Sequence, residues 1–477
     1  MLLPPNIKKI LIPRFDTIGD IVLLEGFIEA LLDKYQGAEI TLIVREGYDQ
    51  LKALFPDSIS WISSCLNPYH APTNDDIKEL SLLFNKLTDY RWNLLLITTY
   101  NRTWVDDAMA SKLEDRYSIA IGEVKEIKGW LERLYKTLNL KTKIPYNEVV
   151  PVRREAQETD KYQVLWDALF SDGRRLLRPR LTVTKGLELM GREVLFKMGL
   201  IEKSFFICVP AGTMNNPIKA WPADRFAEVI SWVNKEYSLN VLLVGHEDER
   251  KTIDVVAKMV KEKIGNMPHV WLGKDGQIPL LAALLKEALF YLGNDTGPLH
   301  IAAAVGTPAV GIFGGGTWPR FLPVGPNSIG VAGELPCFGC EWDCFFGDAP
   351  CKSLVYTKDV TKAIRVVLKG GVESNILRAD VKVSAETERY IKKAIDKFRT
   401  IRADLTSALE ECEADRAARL EVINKQGKLI GELKASIEEH SGELNNLSSS
   451  RSWKMTGPFR WAHQQWRSFK KRFFSDR

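Results

Sequence analysis

The chain has 477 residues, of which 45% are hydrophobic and 27% charged, with a formal net charge of +5. That length exceeds one core, and the composition is that of a soluble globular protein, so two domains and an appendage are expected. No apolar run is long enough to span a bilayer, and Met1-Leu2-Leu3-Pro4-Pro5-Asn6 lacks the pattern of a signal peptide, which points to the cytoplasm.

Lys8 to Phe15 reads as an apolar strand, and Gly19-Asp20 opens a helix with Ile21, Leu24, Ile28, Leu31 and Tyr35 at helical spacing. Ala38 to Arg45 and Asn93 to Thr98 read as further strands, with a helix at Asp75 to Tyr90 between them. Residues 155–200 read as mainly helical, with Arg178-Pro179-Arg180 as a passage to the second half. The alternation then restarts: a strand at Phe205 to Val209, a helix from Trp221-Pro222-Ala223-Asp224 through Val233, and strands at Asn240 to Val244 and His269 to Leu272. Ala288 to Leu292 reads as a buried strand, Ile301 to Val305 as a helix, and Ala309 to Gly314 as the next strand. A helix at Thr357 to Leu368 closes the globular part. Strands alternating with helices predict parallel, doubly wound sheets. Two of them in succession put a cleft between domains, where strand carboxyl ends meet and ligands bind.

From Ala385 to Leu447 there is no proline, and apolar residues recur at Phe398, Ile401, Leu405, Leu409, Cys412, Leu420, Ile423, Ile430, Leu433, Ile437 and Leu444. These spacings predict a long helix with a heptad seam, broken between Cys412 and Leu420 and weakened by Gly427, Gly431 and Gly442. Self-association as a coiled coil is its simplest use, and folding back on the globular body is the alternative. The tail carries the basic excess: residues 451–477 hold eight Lys or Arg against Asp476, so the remainder is slightly acidic. Phe459, Ala462, Trp466, Phe469 and Phe473 share a helical face, with Arg460, Arg467, Lys470, Lys471 and Arg472 interleaved, which suits an anionic membrane surface. Nucleic acid is not expected as a partner, because no nucleic-acid motif accompanies this tail.

Three loops carry chemistry. Gly293-Asn294-Asp295-Thr296-Gly297-Pro298-Leu299-His300 turns from strand to helix, and the free amides at that helix start attract phosphate. An ordinary βα turn would also use the glycines and the proline. His300, one turn in, packs, caps or touches a donor. At the first strand's end, Arg14, Asp16, Gly19 and Asp20 fall at the prospective cleft. Asp20 is either a helix cap or a general base that takes a proton from an acceptor hydroxyl. Pro210-Ala211-Gly212-Thr213 and Lys219-Ala220-Trp221-Pro222 follow the strand at 205–209; small residues admit a phosphate, and Lys219 either neutralises a leaving diphosphate or is a solvated surface lysine. Separately, Cys337, Cys340, Cys344 and Cys351 cluster in one short loop, whereas Cys65, Cys208 and Cys412 are scattered. Clustered cysteines of this kind suit a structural Zn²⁺ or iron ion, with free thiols as the alternative.

The ordered set Arg14…Gly19-Asp20, Pro210-Ala211-Gly212-Thr213…Lys219…Trp221-Pro222, Gly293 to His300 and Gly306-Thr307-Pro308…Phe313-Gly314 resembles glycosyltransferase family 9, the heptosyltransferases of lipopolysaccharide assembly, over roughly residues 7–370. The resemblance implies an α/β GT-B fold, two Rossmann-like domains facing a cleft: an acceptor domain at 1–190 and a nucleotide-sugar domain at 191–370 with the Cys-rich loop 337–351. A linker at 371–384, the coiled-coil helix at 385–447 and the basic aromatic tail at 448–477 complete the expected organisation. The resemblance further implies inverting transfer, without a catalytic metal, of a heptose or similar sugar from a nucleoside-diphosphate donor to a cell-surface glycan or lipid-linked acceptor. By position Asp20 would be the base, with Asp16 sharing that role or binding acceptor hydroxyls, since some family members carry a small residue there. Arg14 and Gly19 complete the acceptor loop. Thr213, Lys219, Asp295, Thr296, Gly297, Pro298 and His300 would serve the donor, with Asp295 orienting hydroxyls and amides, because two anions repel. Ser450 to Pro458 also looks like tail segments of bacterial surface-polysaccharide glycosyltransferases. The expected setting is the cytoplasm, peripheral to the inner membrane, as a homo-oligomer. A nucleotide-sugar epimerase or hydrolase of the same fold, and a non-catalytic sugar-nucleotide-binding scaffold, are the rival readings.

Overall fold

A computed structural model describes residues 3, 7–69, 72–88, 90–113, 117–123, 132, 135–136, 146–213, 216–347, 349–372, 375–381, 384–449 and 457–473. It divides into two compact units, Met1–Arg402 and Ala403–Arg477.

In the first unit, β1 (Lys9–Arg14), β2 (Glu39–Arg45), β3 (Ile59–Ser64), β4 (Leu94–Ile97), β5 (Tyr117–Ile121) and β6 (Glu148–Val150) form a parallel sheet in the order β3-β2-β1-β4-β5-β6. Its helices are α1 (Ile18–Leu23), α2 (Glu25–Lys34), α3 (Asn74–Thr88) and α4 (Trp104–Lys112), and α5 (Glu158–Phe170) follows the last strand. The continuous apolar runs of β1, β2 and β4 are buried, as strands covered on both faces must be. The single helix expected from Gly19 to Tyr35 is instead two, joined at Leu24. The chain at Leu177 passes directly over Gly26, where a Cβ would collide with its carbonyl.

After α6 (Lys185–Lys197), β7 (Phe205–Val209), β8 (Asn240–His246), β9 (His269–Gly273), β10 (Tyr291–Asn294), β11 (Ala309–Phe313), β12 (Ser328–Ala332) and β13 (Asn375–Arg378) build a second parallel sheet, ordered β13-β12-β11-β10-β7-β8-β9. Its helices are α7 (Ala223–Tyr237), α8 (Arg250–Ile264), α9 (Ile278–Glu287), α10 (Gly297–Ala304), the short α11 (Pro350–Ser353) and α12 (Thr357–Lys369). Two expectations shift. The strand placed at Ala288 to Leu292 begins at Tyr291, because Ala288 caps α9 by donating its amide to Leu285 O. Part of the stretch read as a linker, Asn375–Arg378, pairs with β12 as an edge strand. On α12, Val360, Ala363, Ile364 and Val367 are buried at helical spacing. Each of the larger ones is worth about 1.5–3 kcal/mol on leaving water.

Both sheets reverse direction beside their first strand, β1/β4 in one and β7/β10 in the other, and ligands of open α/β sheets bind beyond the carboxyl ends at such points. The loops there are 14–20, 210–213 and 294–297. The two halves also bond directly: Leu181 N–H donates to Ala304 O, and Ile278 N–H to Gln50 Oε1.

The long helix α13 (Ala385–Ser449) is continuous. Ile401, Leu405, Leu409, Ile423, Ile430, Leu433 and Ile437, all from the heptad seam, are exposed, and so is Cys412; Phe398 instead stacks edge-on against Phe345 of the Cys-rich loop. The tail forms α14 (Gly457–Phe473), with Trp461 and Trp466 exposed. Residues 450–456 of the Ser450–Pro458 segment lie outside the described residues. Among the described residues no helix is long and apolar enough to cross a membrane.

Candidate active site

Arg14 ends β1 fully buried. Its Nη1 donates to Thr98 O and Oγ1 at 2.9 and 3.1 Å, just past β4. Its other edge clamps Asp16, with Nε–Oδ1 at 3.0 Å and Nη2–Oδ2 at 2.7 Å, so both Asp16 oxygens are taken. Asp20 is placed differently. Thr17 is the residue that caps α1, and Asp20 sits in its first turn and reaches back: Oδ2 accepts from the Thr17 amide at 3.0 Å and hydroxyl at 2.6 Å. Among the described residues Asp20 Oδ1 has a single longer contact, 3.7 Å, to Arg14 Nη2. One Asp20 oxygen is therefore only loosely held, while Asp16 is committed to Arg14.

Across the cleft, Thr296 caps α10 in extended conformation, and Pro298 fills the first turn, where a missing N–H costs nothing. Thr296, Gly297 and Pro298 stay partly exposed while Asp295 is buried. The two bends meet. A Cβ on Gly297 would stand 3.3 Å from Ile18 Cβ, and one on Gly19 would stand 2.6 Å from His300 Cδ2. His300 is buried with Nδ1 unpartnered among the described residues, and burial lowers its pKa against the pull of Asp295 and Asp20.

The 210–213 loop closes on the same bend. Gly212 has φ +83°, which favours glycine, and a Cβ there would lie 3.0 Å from Thr296. Its amide donates to Glu249 Oε1 at 2.6 Å. Thr213 is half-buried beside it. Lys219 reaches Asp295 Oδ2 at 3.5 Å with its Nζ 4.9 Å from the centre of the Trp342 ring. The sequence-predicted residues Arg14, Asp16, Gly19 and Asp20 thus face Thr213, Lys219, Asp295, Thr296, Gly297, Pro298 and His300.

Several partners gave no signal in the sequence. Arg320, beyond β11, forks onto Glu158 of α5 at 2.6 and 3.2 Å, and Lys161 contacts the same carboxylate at 3.2 Å. Against the cost of burial, Arg320, Lys161 and Arg14 hold the Glu158 carboxyl down at about 2. Burial lowers Lys161 to about 8, opposed by Glu158, and its Nζ lies 4.3 Å from the Tyr100 ring centre. Asp20 adds favourable charge to both Arg320 and Lys161. Asn294, inside the glycine-rich bend, and Lys352, next to Cys351, are both buried beneath the donor side.

Cys337, Cys340, Cys344 and Cys351 are free thiols lining one cavity of about 730 Å³ together with Trp342, Phe345 and Phe398. Burial pushes Cys337 up to about 11, reinforced by Cys351, Cys340 and Cys344. The donor chemistry is that of a thiolate metal site, but among the described residues no three His, Cys, Asp or Glu are gathered closely enough to hold an ion.

Residues 174–342 match the sequence model of Glycosyltransferase family 9 (heptosyltransferase). Lipopolysaccharide heptosyltransferase 3 of Escherichia coli (strain K12) is 33% identical over 103 residues, 21% of this chain; the match spans only 29% of that relative's length. The solved family 9 glycosyl transferase of Veillonella parvula superposes with a TM-score of 0.59 at 18% identity, covering 76% of this chain and 98% of its own. The E. coli ADP-heptose lipopolysaccharide heptosyltransferase II gives 0.56 at 16%, covering 76% and 98%. An E. coli heptosyltransferase solved with ADP gives 0.50 at 14%, covering 75% and 99%. The fold is the GT-B arrangement of these enzymes, and the similarity to the glycosyltransferase family 9 sequence model covers residues 174–342 of this chain.

Proposed function

We propose that the protein is an inverting glycosyltransferase that moves a heptose or similar sugar from a nucleoside-diphosphate donor to a cell-surface glycan or lipid-linked acceptor. The observation that carries this reading is the meeting of the two bends, with Asp20 on one side and the start of α10 with Lys219 on the other. The acceptor would lie on the first domain, residues 1–190, and the donor on the second, residues 191–370.

In the proposed reaction Asp20 Oδ1 takes the proton of the acceptor hydroxyl as that oxygen attacks the sugar's anomeric carbon. The bond from that carbon to the diphosphate oxygen breaks on the opposite face, and its electron pair leaves with the diphosphate. Lys219, Thr213 and the amides of Thr296 and Gly297 at the α10 N-terminus meet the charge that develops there. With that positive potential in place, the transfer is read as independent of a catalytic metal. The two solved E. coli enzymes whose descriptions name ADP or ADP-heptose make ADP-heptose the first donor to test.

Three further readings accompany this one. Cys337, Cys340, Cys344 and Cys351 would hold zinc or iron as thiolates, cross-linking their loop without entering the transfer, once they draw closer together than they stand in this structure. The exposed seam of α13 would pair with a second copy of the chain. The basic aromatic face of α14 would rest on an anionic membrane surface, the inner leaflet where a lipid-linked acceptor is presented.

Thermal shift against a panel of nucleotide sugars tests the central claim. A true donor raises the melting temperature in proportion to its occupancy, and ADP-heptose is expected to do so. A panel in which no nucleoside-diphosphate sugar stabilises the full chain would sink it.

A further inference from the structure

Asn294 ends β10 with no exposed surface, and its carboxamide joins three separate segments. Oδ1 accepts from Trp221 N–H at 3.0 Å and from Lys352 Nζ at 3.3 Å, and Nδ2 donates to Pro210 O at 2.9 Å. Those segments are the 210–213 loop, the turn carrying Lys219, and the bend that continues into Asp295, Thr296 and Gly297. They bear the donor-side residues described above.

Lys352 supports the same bend from behind. Its ammonium also donates to Ile312 O at 3.0 Å, and that carbonyl accepts the amide of Asp295 at 3.2 Å. One buried lysine thus touches both the side chain of Asn294 and the carbonyl that holds Asp295 in place. Its stem runs past Gly314, where a Cβ would lie 3.2 Å from Lys352 Cδ. The lysine sits on α11, immediately after Cys351, so the Cys-rich loop delivers it.

A merely space-filling role would be met at lower cost by methionine or leucine, since a buried ammonium is expensive unless it is paired. Among the described residues Lys352 has two neutral oxygens as hydrogen-bond acceptors, and the charge of nearby Asp295, which also meets Lys219, favours its ammonium.

We infer that Lys352 is a positioning residue of the donor site: it fixes the Asn294–Asp295 turn, and through it the Cys-rich loop sets the geometry of the diphosphate-binding bend. This rests on the transferase reading above.

The test compares the full-length wild type with Lys352→Met. Amide hydrogen exchange in 210–213 and 293–299 should speed up about tenfold or more while the first sheet is unchanged. The ADP dissociation constant, by titration calorimetry, should rise about tenfold, and the donor KM should rise with it while kcat changes less than about threefold. A double variant with Asn294→Ala should bind ADP no worse than Asn294→Ala alone. If Lys352→Met yields no folded protein, Lys352→Gln, which keeps one donor, is compared in its place. Unchanged exchange in both segments, or additive losses in the double variant, would overturn the inference. A wild type that binds neither ADP nor pyrophosphate would defeat the donor-site reading instead, and the exchange comparison would still judge the lysine.

Discussion

Asp16 and Asp20 share one loop, and the structure gives them separable fates on replacement. Asp16→Asn leaves the fully buried Arg14 guanidinium without its paired charge: of the contacts at 3.0 and 2.7 Å one can persist to the amide oxygen, and the other sets N–H against N–H. Removing one partner of a buried pair costs about 3–5 kcal/mol, so this variant should unfold at markedly lower urea. Asp20→Asn keeps an oxygen for the Thr17 amide and hydroxyl and gives up only a 3.7 Å contact to Arg14. Its cost to stability should stay near the 0.3–1 kcal/mol of an acidic group in a first helical turn, an order-of-magnitude figure. Turnover should move the other way. Loss of a positioned base slows transfer by about 10²–10⁴, some 3–5 kcal/mol of barrier, while ADP binding to the second domain is kept. The assays are urea unfolding followed by circular dichroism, ADP titration, and sugar transfer from ADP-heptose to a lipid-linked glycan. An Asp20→Asn enzyme with near-normal turnover beside a stable, inactive Asp16→Asn would reverse the assignment.

Gly19→Ala would put a Cβ 2.6 Å from His300 Cδ2, about 1 Å inside ordinary carbon contact. Separating α1 from α10 by that amount should cut kcat roughly 100-fold, and a variant with wild-type kcat would show that the bends need not touch. Glu158 is held near 2 against an ordinary 4.5, so its contribution to stability is complete above pH 4.5 and is lost as pH falls through about 2. Glu158→Gln should therefore be much less stable than wild type at pH 7, with the gap closing below pH 4.5; a gap that does not change with pH would contradict the buried pair.

What could be read in the sequence was what the backbone dictates locally. The apolar run of β1 and the Gly297-Pro298 helix start each follow from local burial or conformational preference, and each leaves its mark within a few positions. The break at Leu24 did not, nor did the passage of the chain at Leu177, some 150 positions away, over Gly26. The charge network is harder still. Glu158 and Arg320 are separated by 162 residues, and Lys161 looks like one more polar position on an amphipathic helix. Lys352 reads as a surface lysine until α11 turns it inward onto Asn294. Spacing marked Asp16 and Asp20 equally; only the occupancy of their lone pairs separates them.

That occupancy also explains why the loop carries two acids. Arg14 is fully buried, holds Thr98 at the end of β4, and faces Asp16, whose carboxyl burial pushes up against the pull of that cation. If Asp20 took the place of Asp16, both its oxygens would be taken by Arg14. With Asp16 paired to Arg14, Asp20 is left one loosely held oxygen beside the same cation. Loops with a single acid would have to answer the buried arginine some other way, by solvating it or by doing without it. The pair of carboxylates is therefore the arrangement by which a fully buried cation and a carboxylate with one loosely held oxygen share one strand-to-helix turn.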